Sequence, residues 1–330
     1  MSDPRAELRL GRVLRAHAGF FDVETREGEL TCRMRGRLKK LRLDTDICVV
    51  GDDVRVLETA PGVGVVEEVL PRRSVFARLY PGRGKRREDV LCANLDQLLV
   101  VFSFDRPSAK ARTIDRFLVV AEERDIEAVI VANKADLASD QERELFARYA
   151  GLGYRVIETS ATTEQGLREL SEVCRGRISA MSGPSGVGKS SLANALSPGL
   201  DLRVGATSEA HGKGRHTTRV ASLHALGDES YLVDTPGIRE LASYELPLED
   251  LDRCFPEMRA HLGRCSYRRC AHESEPGCAV RRALEAGEIH PAVDGENAVL
   301  TKTLRNQAVP NFTAHRDHRI GPPVLAAGEE

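Results

Sequence analysis

The chain has 330 residues, 30% of them charged and 5% aromatic, with no Trp and a formal net charge of −2. That length allows two or three domains, the charge gives no global attraction to nucleic acid, and no apolar run approaches the roughly 20 residues of a membrane-spanning helix. The opening residues 1–7 lack an apolar signal core, so the expected compartment is the cytoplasm, with no membrane partner.

Residues 1–70 read as short alternating strands at 11–14, 19–24, 30–35, 53–57 and 64–70, separated by Gly-rich turns. Such a series predicts a small closed barrel of the OB-like kind. Arg33, Arg35, Arg37, Lys39 and Lys40 form a basic run with no acidic residue among them. On an OB-like barrel this run is a candidate RNA-backbone contact. The competing reading is a solvated loop, balanced by Asp44, Asp46, Asp52 and Asp53.

A basic, Gly-rich stretch over 71–73 and 82–87 marks a domain boundary. Strand–helix alternation follows. The apolar run 98–102 is a buried parallel strand, and Ile114, Phe117, Leu118 and Ala121 share one helical face. A second strand covers 128–132. Ser139 caps a helix carrying Leu145, Phe146 and Tyr149, and a third strand covers 154–157. This pattern predicts a doubly wound α/β sheet. After the second strand comes Asn133-Lys134-Ala135-Asp136, of the form N-K-x-D. An Asp here accepts from both N1–H and the 2-amino group of guanine, a donor pair that adenine lacks. Lys134 lies along the base, and Ser160 and Ala161, after the third strand, offer backbone N–H groups to the guanine O6.

Gly183-Pro184-Ser185-Gly186-Val187-Gly188-Lys189-Ser190 matches the P-loop, G-x-x-x-x-G-K-[ST]. Its glycines let backbone N–H groups face phosphate oxygens, and Ser191 continues into the helix whose N-terminus adds to the anion site. Lys189 pairs with the β- and γ-phosphates, and Ser190 is a Mg²⁺ ligand. A polar, glycine-rich loop over 210–218 offers Thr217 or Thr218 as a further Mg²⁺ ligand. Strand 231–233 then leads into Asp234-Thr235-Pro236-Gly237. In a D-x-x-G the Asp orients Mg²⁺ and the Gly N–H meets the γ-phosphate. The guanine-reading motif precedes the P-loop here, the reverse of the usual order, so the domain resembles a circularly permuted GTPase.

Of the eight cysteines, Cys32, Cys48, Cys92 and Cys174 are scattered, while Cys254, Cys265, Cys270 and Cys278 crowd into 254–278. Cys265, Cys270, His272 and Cys278 are spaced C-x₄-C-x-H-x₅-C. Three thiolates and one imidazole satisfy tetrahedral Zn²⁺ with no open position, which makes a structural site; free thiols or a disulfide pair are the alternatives. Cys254 reads as a core thiol, 280–287 as a helix, and the residues after 305 as a frayed tail.

In this order, the motifs N-K-A-D, T-S-A, G-P-S-G-V-G-K-S, G-R-H-T-T and D-T-P-G, with an OB-like segment before and a Cys/His cluster after, resemble the RsgA (YjeQ) family over residues 8–290. The resemblance implies a multidomain chain: an OB-fold RNA-binding domain (1–70), a circularly permuted P-loop α/β GTPase domain (71–250), and a mostly helical zinc-binding module with a flexible tail (251–330). It implies hydrolysis of GTP, stimulated by the small ribosomal subunit, by a late maturation factor that binds and leaves that subunit according to its nucleotide. GTP or GDP with Mg²⁺ and one structural Zn²⁺ would be the bound groups. The small subunit and its ribosomal RNA would be the partners of a monomer. Ile238 follows D-T-P-G where many GTPases have a water-orienting Gln. The family pattern puts a catalytic His at His216, beside Lys189; His211 is the other candidate. Two further readings are a non-enzymatic RNA-binding scaffold with a structural nucleotide, and a P-loop phosphotransferase.

Overall fold

The computed structural model describes residues 8–39, 47–79, 88–197, 199–200, 221–234, 248–268, 270–272 and 274–289. Strands β1 (Arg9–His17), β2 (Phe20–Thr25), β3 (Gly28–Met34), β4 (Asp53–Ala60) and β5 (Val63–Val69) pair in the order β1-β2-β3-β5-β4. The circle closes because β4 also pairs with β1, with Arg9 opposite Val56 and Arg12 opposite Asp53. Side chains alternate along each strand, so Val13, Val23, Leu30, Cys32, Val54, Val56 and Val66 fill the interior. The expected five-stranded barrel is therefore present, closed by the parallel β3–β5 pair. A short helix, α1 (Gly36–Lys39), follows β3.

The boundary expected near 71–87 is not a plain linker. Strands β6 (Val75–Leu79) and β7 (Glu88–Ala93) form an antiparallel hairpin there, and residues 80–87 lie outside the described ones. Its alternation is interrupted by a register shift between Phe76 and Ala77, which hides it from a periodicity reading. The hairpin is held to the barrel. Asn94 Nδ2 donates to the Gly51 carbonyl at 2.9 Å, and Arg72 donates to both oxygens of Asp52, at 2.7 and 2.8 Å. Asp52 is fully buried and also accepts from the Val49 N–H at 2.7 Å.

The second sheet runs β10 (Arg155–Thr159), β9 (Glu127–Asn133), β8 (Gln97–Ser103), β11 (Ile178–Ser182), β13 (Ser230–Asp234), β12 (Ser222–Gly227). All of its neighbouring pairs are parallel except β12–β13. Every residue of β8 is buried, because helices cover both faces. The two-residue period divides the core. Leu98, Val100 and Phe102 pack with Ile114 and Phe117 of α2 (Ala111–Glu123) and Phe146 of α3 (Asp140–Gly151). Leu99 and Val101 face the other way, onto Leu170 of α4 (Leu167–Cys174) and Leu192 of α5 (Lys189–Leu196). Ser139 caps α3 as expected, with Glu142 completing a capping box.

One continuous 11-stranded sheet results, because β12 meets β1 at Ser222 and Arg15. Across that junction the Tyr231 hydroxyl donates to the Glu24 carboxylate, and the Arg12 guanidinium sits 5.0 Å over the Tyr231 ring. Among the described residues, the regular elements of the last part are a 3₁₀ segment (Leu248–Cys254), α6 (Pro256–Arg259) and α7 (Ala279–Glu285). Its core of Leu251, Cys254, Phe255, Met258, Val280 and Ala283 also takes in Val119 of α2. Cys254 is the core thiol the sequence suggested.

The buried Asp52–Arg72 pair supplies a stability test. Asp52→Ala breaks this buried charge pair and should lower unfolding free energy by about 3 kcal/mol. Glu68→Ala, which removes an exposed partner of Arg55, should cost under about 1 kcal/mol. Urea unfolding of the two variants measures the difference, and equal costs would contradict it.

Candidate functional site

A parallel sheet brings the carboxyl ends of its strands to one edge, whatever the chain order. Here that edge carries Ser103, Asn133, Thr159, Ser182 and Asp234, the last residues of β8, β9, β10, β11 and β13. Asn133 stands opposite Thr159 on one side and Ser103 on the other. The N-K-x-D turn, the segment with Ser160 and Ala161, the P-loop and Asp234 are thus neighbours.

The P-loop leaves β11 at Gly183, whose φ is 147°, and a Cβ there would lie 2.1 Å from the Val101 carbonyl oxygen. Only glycine meets both conditions. Pro184 is half-buried, Ser185 and Gly186 are exposed, and Val187 is buried. Gly188 takes φ 96° at the N-cap of α5. Lys189 Nζ donates to the Gly183 and Pro184 carbonyls, both at 2.7 Å, which holds its ammonium at the mouth of the loop. Lys189, Ser190 and Asp234 line one small cleft with Met181, Ala193, Leu200, His224, Leu232 and Val233. Ser191 is half-buried behind them in the first turn of α5. A hydroxyl, a carboxylate and an ammonium around one cleft suit a magnesium-bound phosphate chain.

Asn133 ends β9 and opens the N-K-x-D turn. It is 2% exposed. Its Nδ2 donates to the Val187 carbonyl at 2.8 Å, and its Oδ1 accepts from Thr159 Oγ1 at 3.3 Å. Its amide therefore fastens the turn to the P-loop and to β10. A Cβ on Gly188 would lie 2.3 Å from that amide nitrogen, so the glycine and the asparagine require each other. Lys134 takes a left-handed conformation (φ 62°), and its Nζ donates to the Asp105 and Arg106 carbonyls at 3.2 and 2.6 Å. Asp136 stands exposed in the next 3₁₀ turn, Ala135–Leu137. Ser160 is 1% exposed. Its N–H donates to the Gln165 carbonyl at 3.0 Å, and its hydroxyl accepts from the Thr163 N–H. Ala161 is half-buried beside it.

The cysteine–histidine group is assembled. One ligand atom from each of Cys265, Cys270, His272 and Cys278 lies within 4.8 Å of the others. Cys265 Sγ is 4.0 Å from Cys278 Sγ, and His272 Nδ1 is 3.3 and 3.7 Å from those two sulfurs. Tetrahedral Zn²⁺ with bonds of about 2.3 Å to sulfur requires ligand separations of about 3.8 Å, so the donor set fits that ion. His272 Nε2 lies 3.3 Å from Asp252 Oδ2. That hydrogen bond, against the opposing effect of burial, raises the imidazole pKa to about 9 and lowers that of Asp252. Burial works to raise Cys278, but the Arg281 N–H and the His272 ring outweigh it and lower its pKa, favouring thiolate.

On the barrel, Arg33 lies 4.5 Å over the Phe20 ring. Arg35 and Arg37 both pair with Glu67, at 2.8 and 3.3 Å, while staying more than half exposed. Among the described residues, Glu67 on β5 is thus the acid paired with Arg35 and Arg37; Asp44 and Asp46 lie outside them. Asp52 serves Arg72 and Asp53 serves Arg12 instead. Lys39 ends α1. Lys40, His211, His216, Thr217, Thr218, Gly237 and Ile238 lie outside the described residues.

Several groups at the site escape a motif reading. The Asp105 and Arg106 carbonyls carry no side-chain signal. His224 comes from β12, a strand not expected from the sequence; burial lowers its pKa, with Asp234 opposing. Asp252 lies 20 residues from the histidine it meets.

Profile comparison matches residues 69–244 to the family described as RsgA GTPase and residues 10–66 to the RsgA N-terminal domain. A Gemmatimonas aurantiaca protein named small ribosomal subunit biogenesis GTPase RsgA is 46% identical over 85% of this chain and 92% of its own length. A Moorella thermoacetica protein of the same name is 43% identical, over 84% and 91% respectively. Among solved structures, YjeQ from Thermotoga maritima superposes with a TM-score of 0.72 at 36% identity, covering 91% of this chain and 98% of that one. YloQ, described as a circularly permuted GTPase, gives 0.70 at 28% identity, over 94% of this chain and 100% of its own.

Because the Asn133 amide buttresses the P-loop, Asn133→Ala leaves the Val187 carbonyl without its donor. Loss of one buried bond of about 1–3 kcal/mol predicts GDP affinity about 5- to 150-fold weaker. Titration with a fluorescent GDP analogue measures it, and unchanged affinity would show that the tie does not shape the loop.

Proposed function

The chain belongs to the RsgA GTPase family, and from that premise we propose a GTP-hydrolysing switch that acts in maturation of the small ribosomal subunit. The observation that carries this reading is the single sheet edge where Lys189, Ser190 and Asp234 share a cleft and Asn133 clamps the guanine-reading turn to the P-loop. The phosphates take hydrogen bonds from the P-loop N–H groups and the Lys189 ammonium. Ser190 and Asp234, with Thr217 or Thr218, would hold Mg²⁺, which would supply positive charge to the phosphate chain. The Gly237 N–H adds a donor at the γ-phosphate.

Asp136 reads guanine through N1–H and the 2-amino group, and Lys134, pinned on the Asp105 and Arg106 carbonyls, flanks the base. Because the Ser160 N–H is already engaged, the donor to O6 is the Ala161 N–H. Ile238 cannot orient water, so His216 takes that part, and unaided turnover is slow, at or below about 10⁻³ s⁻¹. Residues 1–70, 71–250 and 251–330 act as three parts. The first contacts ribosomal RNA through Arg33, Arg35, Arg37, Lys39 and Lys40, and the last is stapled by Zn²⁺ on Cys265, Cys270, His272 and Cys278. A monomer working in the cytoplasm, where subunits are built, suits this role.

Phosphate release from GTP and from ATP, with and without purified small subunits, tests the reading. Turnover should be slow alone, faster with subunits, and selective for GTP; an ATP preference would overturn it. Asp136→Ala, which removes two charge-assisted hydrogen bonds, should weaken GTP binding about 100-fold or more and leave the already weak ATP binding unchanged. His216→Ala should lose subunit-stimulated release while keeping GDP affinity, and full stimulation in that variant would exclude His216 from the reaction.

A further inference from the structure

The strongest unassigned contact lies behind the cysteine–histidine group. His272 is 5% exposed, and its two ring nitrogens face different partners. Nδ1 points to the sulfurs of Cys278 and Cys265, at 3.3 and 3.7 Å. Nε2 points away from them, to Asp252 Oδ2 at 3.3 Å. An imidazole can ligate a metal through one nitrogen only while the other keeps its proton, and that N–H requires an acceptor when buried. Asp252 is placed to be that acceptor.

Asp252 does not come from the metal loop. It sits on the 3₁₀ segment Leu248–Cys254, whose Leu251 and Cys254 pack with Val119 of α2. The carboxylate is thus anchored on the side of the module that docks against the GTPase domain. Its side chain is 22% exposed, so the bond is only partly shielded from water.

We infer that Asp252 is the positioning residue of this metal centre: it fixes His272 as an Nδ1 ligand by accepting the Nε2–H, and so joins the centre to the segment packed on α2. This rests on the reading of the four residues as a zinc site.

The test uses the full chain, zinc-loaded. Competition with a chromophoric chelator gives zinc affinity for the unsubstituted protein, Asp252→Ala and Asp252→Asn. Loss of a carboxylate behind a ligating His typically costs 10–100-fold in affinity, so the Ala variant should fall by about that factor. The Asn variant keeps a neutral acceptor and should fall less. In parallel, ¹⁵N chemical shifts of the His272 ring report which nitrogen is bound and which carries the proton, a readout that a purely structural role for Asp252 would not move. Nδ1 bound and Nε2 protonated is the expected result. Zinc held as tightly by both variants, or bound through Nε2, overturns the role of Asp252 while leaving the zinc site standing. A chain that binds no stoichiometric zinc removes the site and the role together. GDP binding retained by each variant separates loss of metal from loss of fold.

Discussion

The hydrogen bond from Asn133 Nδ2 to the Val187 carbonyl is the constraint around which the nucleotide site is arranged. It crosses between two loops that are far apart in the chain, and it is fully buried, so water cannot replace it cheaply. Gly188 must lack a Cβ for the amide to reach the loop, and Thr159 on β10 turns the amide by donating to its other end. Three strands are thereby brought to a common depth at the sheet edge. The base-reading turn and the phosphate loop then have one relative position, which a discriminating site needs before any ligand arrives.

The same sheet carries the connection to the barrel. Strand β13 ends at Asp234 in the nucleotide cleft, and near its start Tyr231 donates to Glu24 and lies under Arg12 of the barrel. Its hairpin partner β12 supplies both His224 to the cleft and Ser222 to the pairing with β1. The strand pair that carries the Asp234 carboxylate is therefore also the strand pair on which the barrel is seated. On the opposite flank, α2 faces the sheet with Ile114 and Phe117 and the C-terminal module with Val119. The GTPase sheet is in this way the common support of both outer parts, with β12–β13 and α2 as the two attachments.

Much of this was legible in the residues. The P-loop, the N-K-x-D turn and the metal quartet are local patterns in which spacing alone sets which groups converge. The barrel strands and the buried strands β8 and β9 announce themselves by period and by apolar runs. The β6–β7 hairpin did not, because a register shift breaks its alternation and its basic connection resembles a linker. Strand β12 was hidden for a related reason: Ser222, His224 and Ala225 are too mixed to mark a strand.

Sequence by itself determined the local motifs: a P-loop, an N-K-x-D turn, a Cys₃His quartet, and their permuted order. Tertiary structure decided what the other side chains do. It brought the Asn133 amide against the P-loop, Glu67 against Arg35 and Arg37, and Asp252 against His272. The physical reason is range. A motif records groups that the backbone holds together over a few residues, whereas these partners meet only after strands and helices from distant parts of the chain have packed.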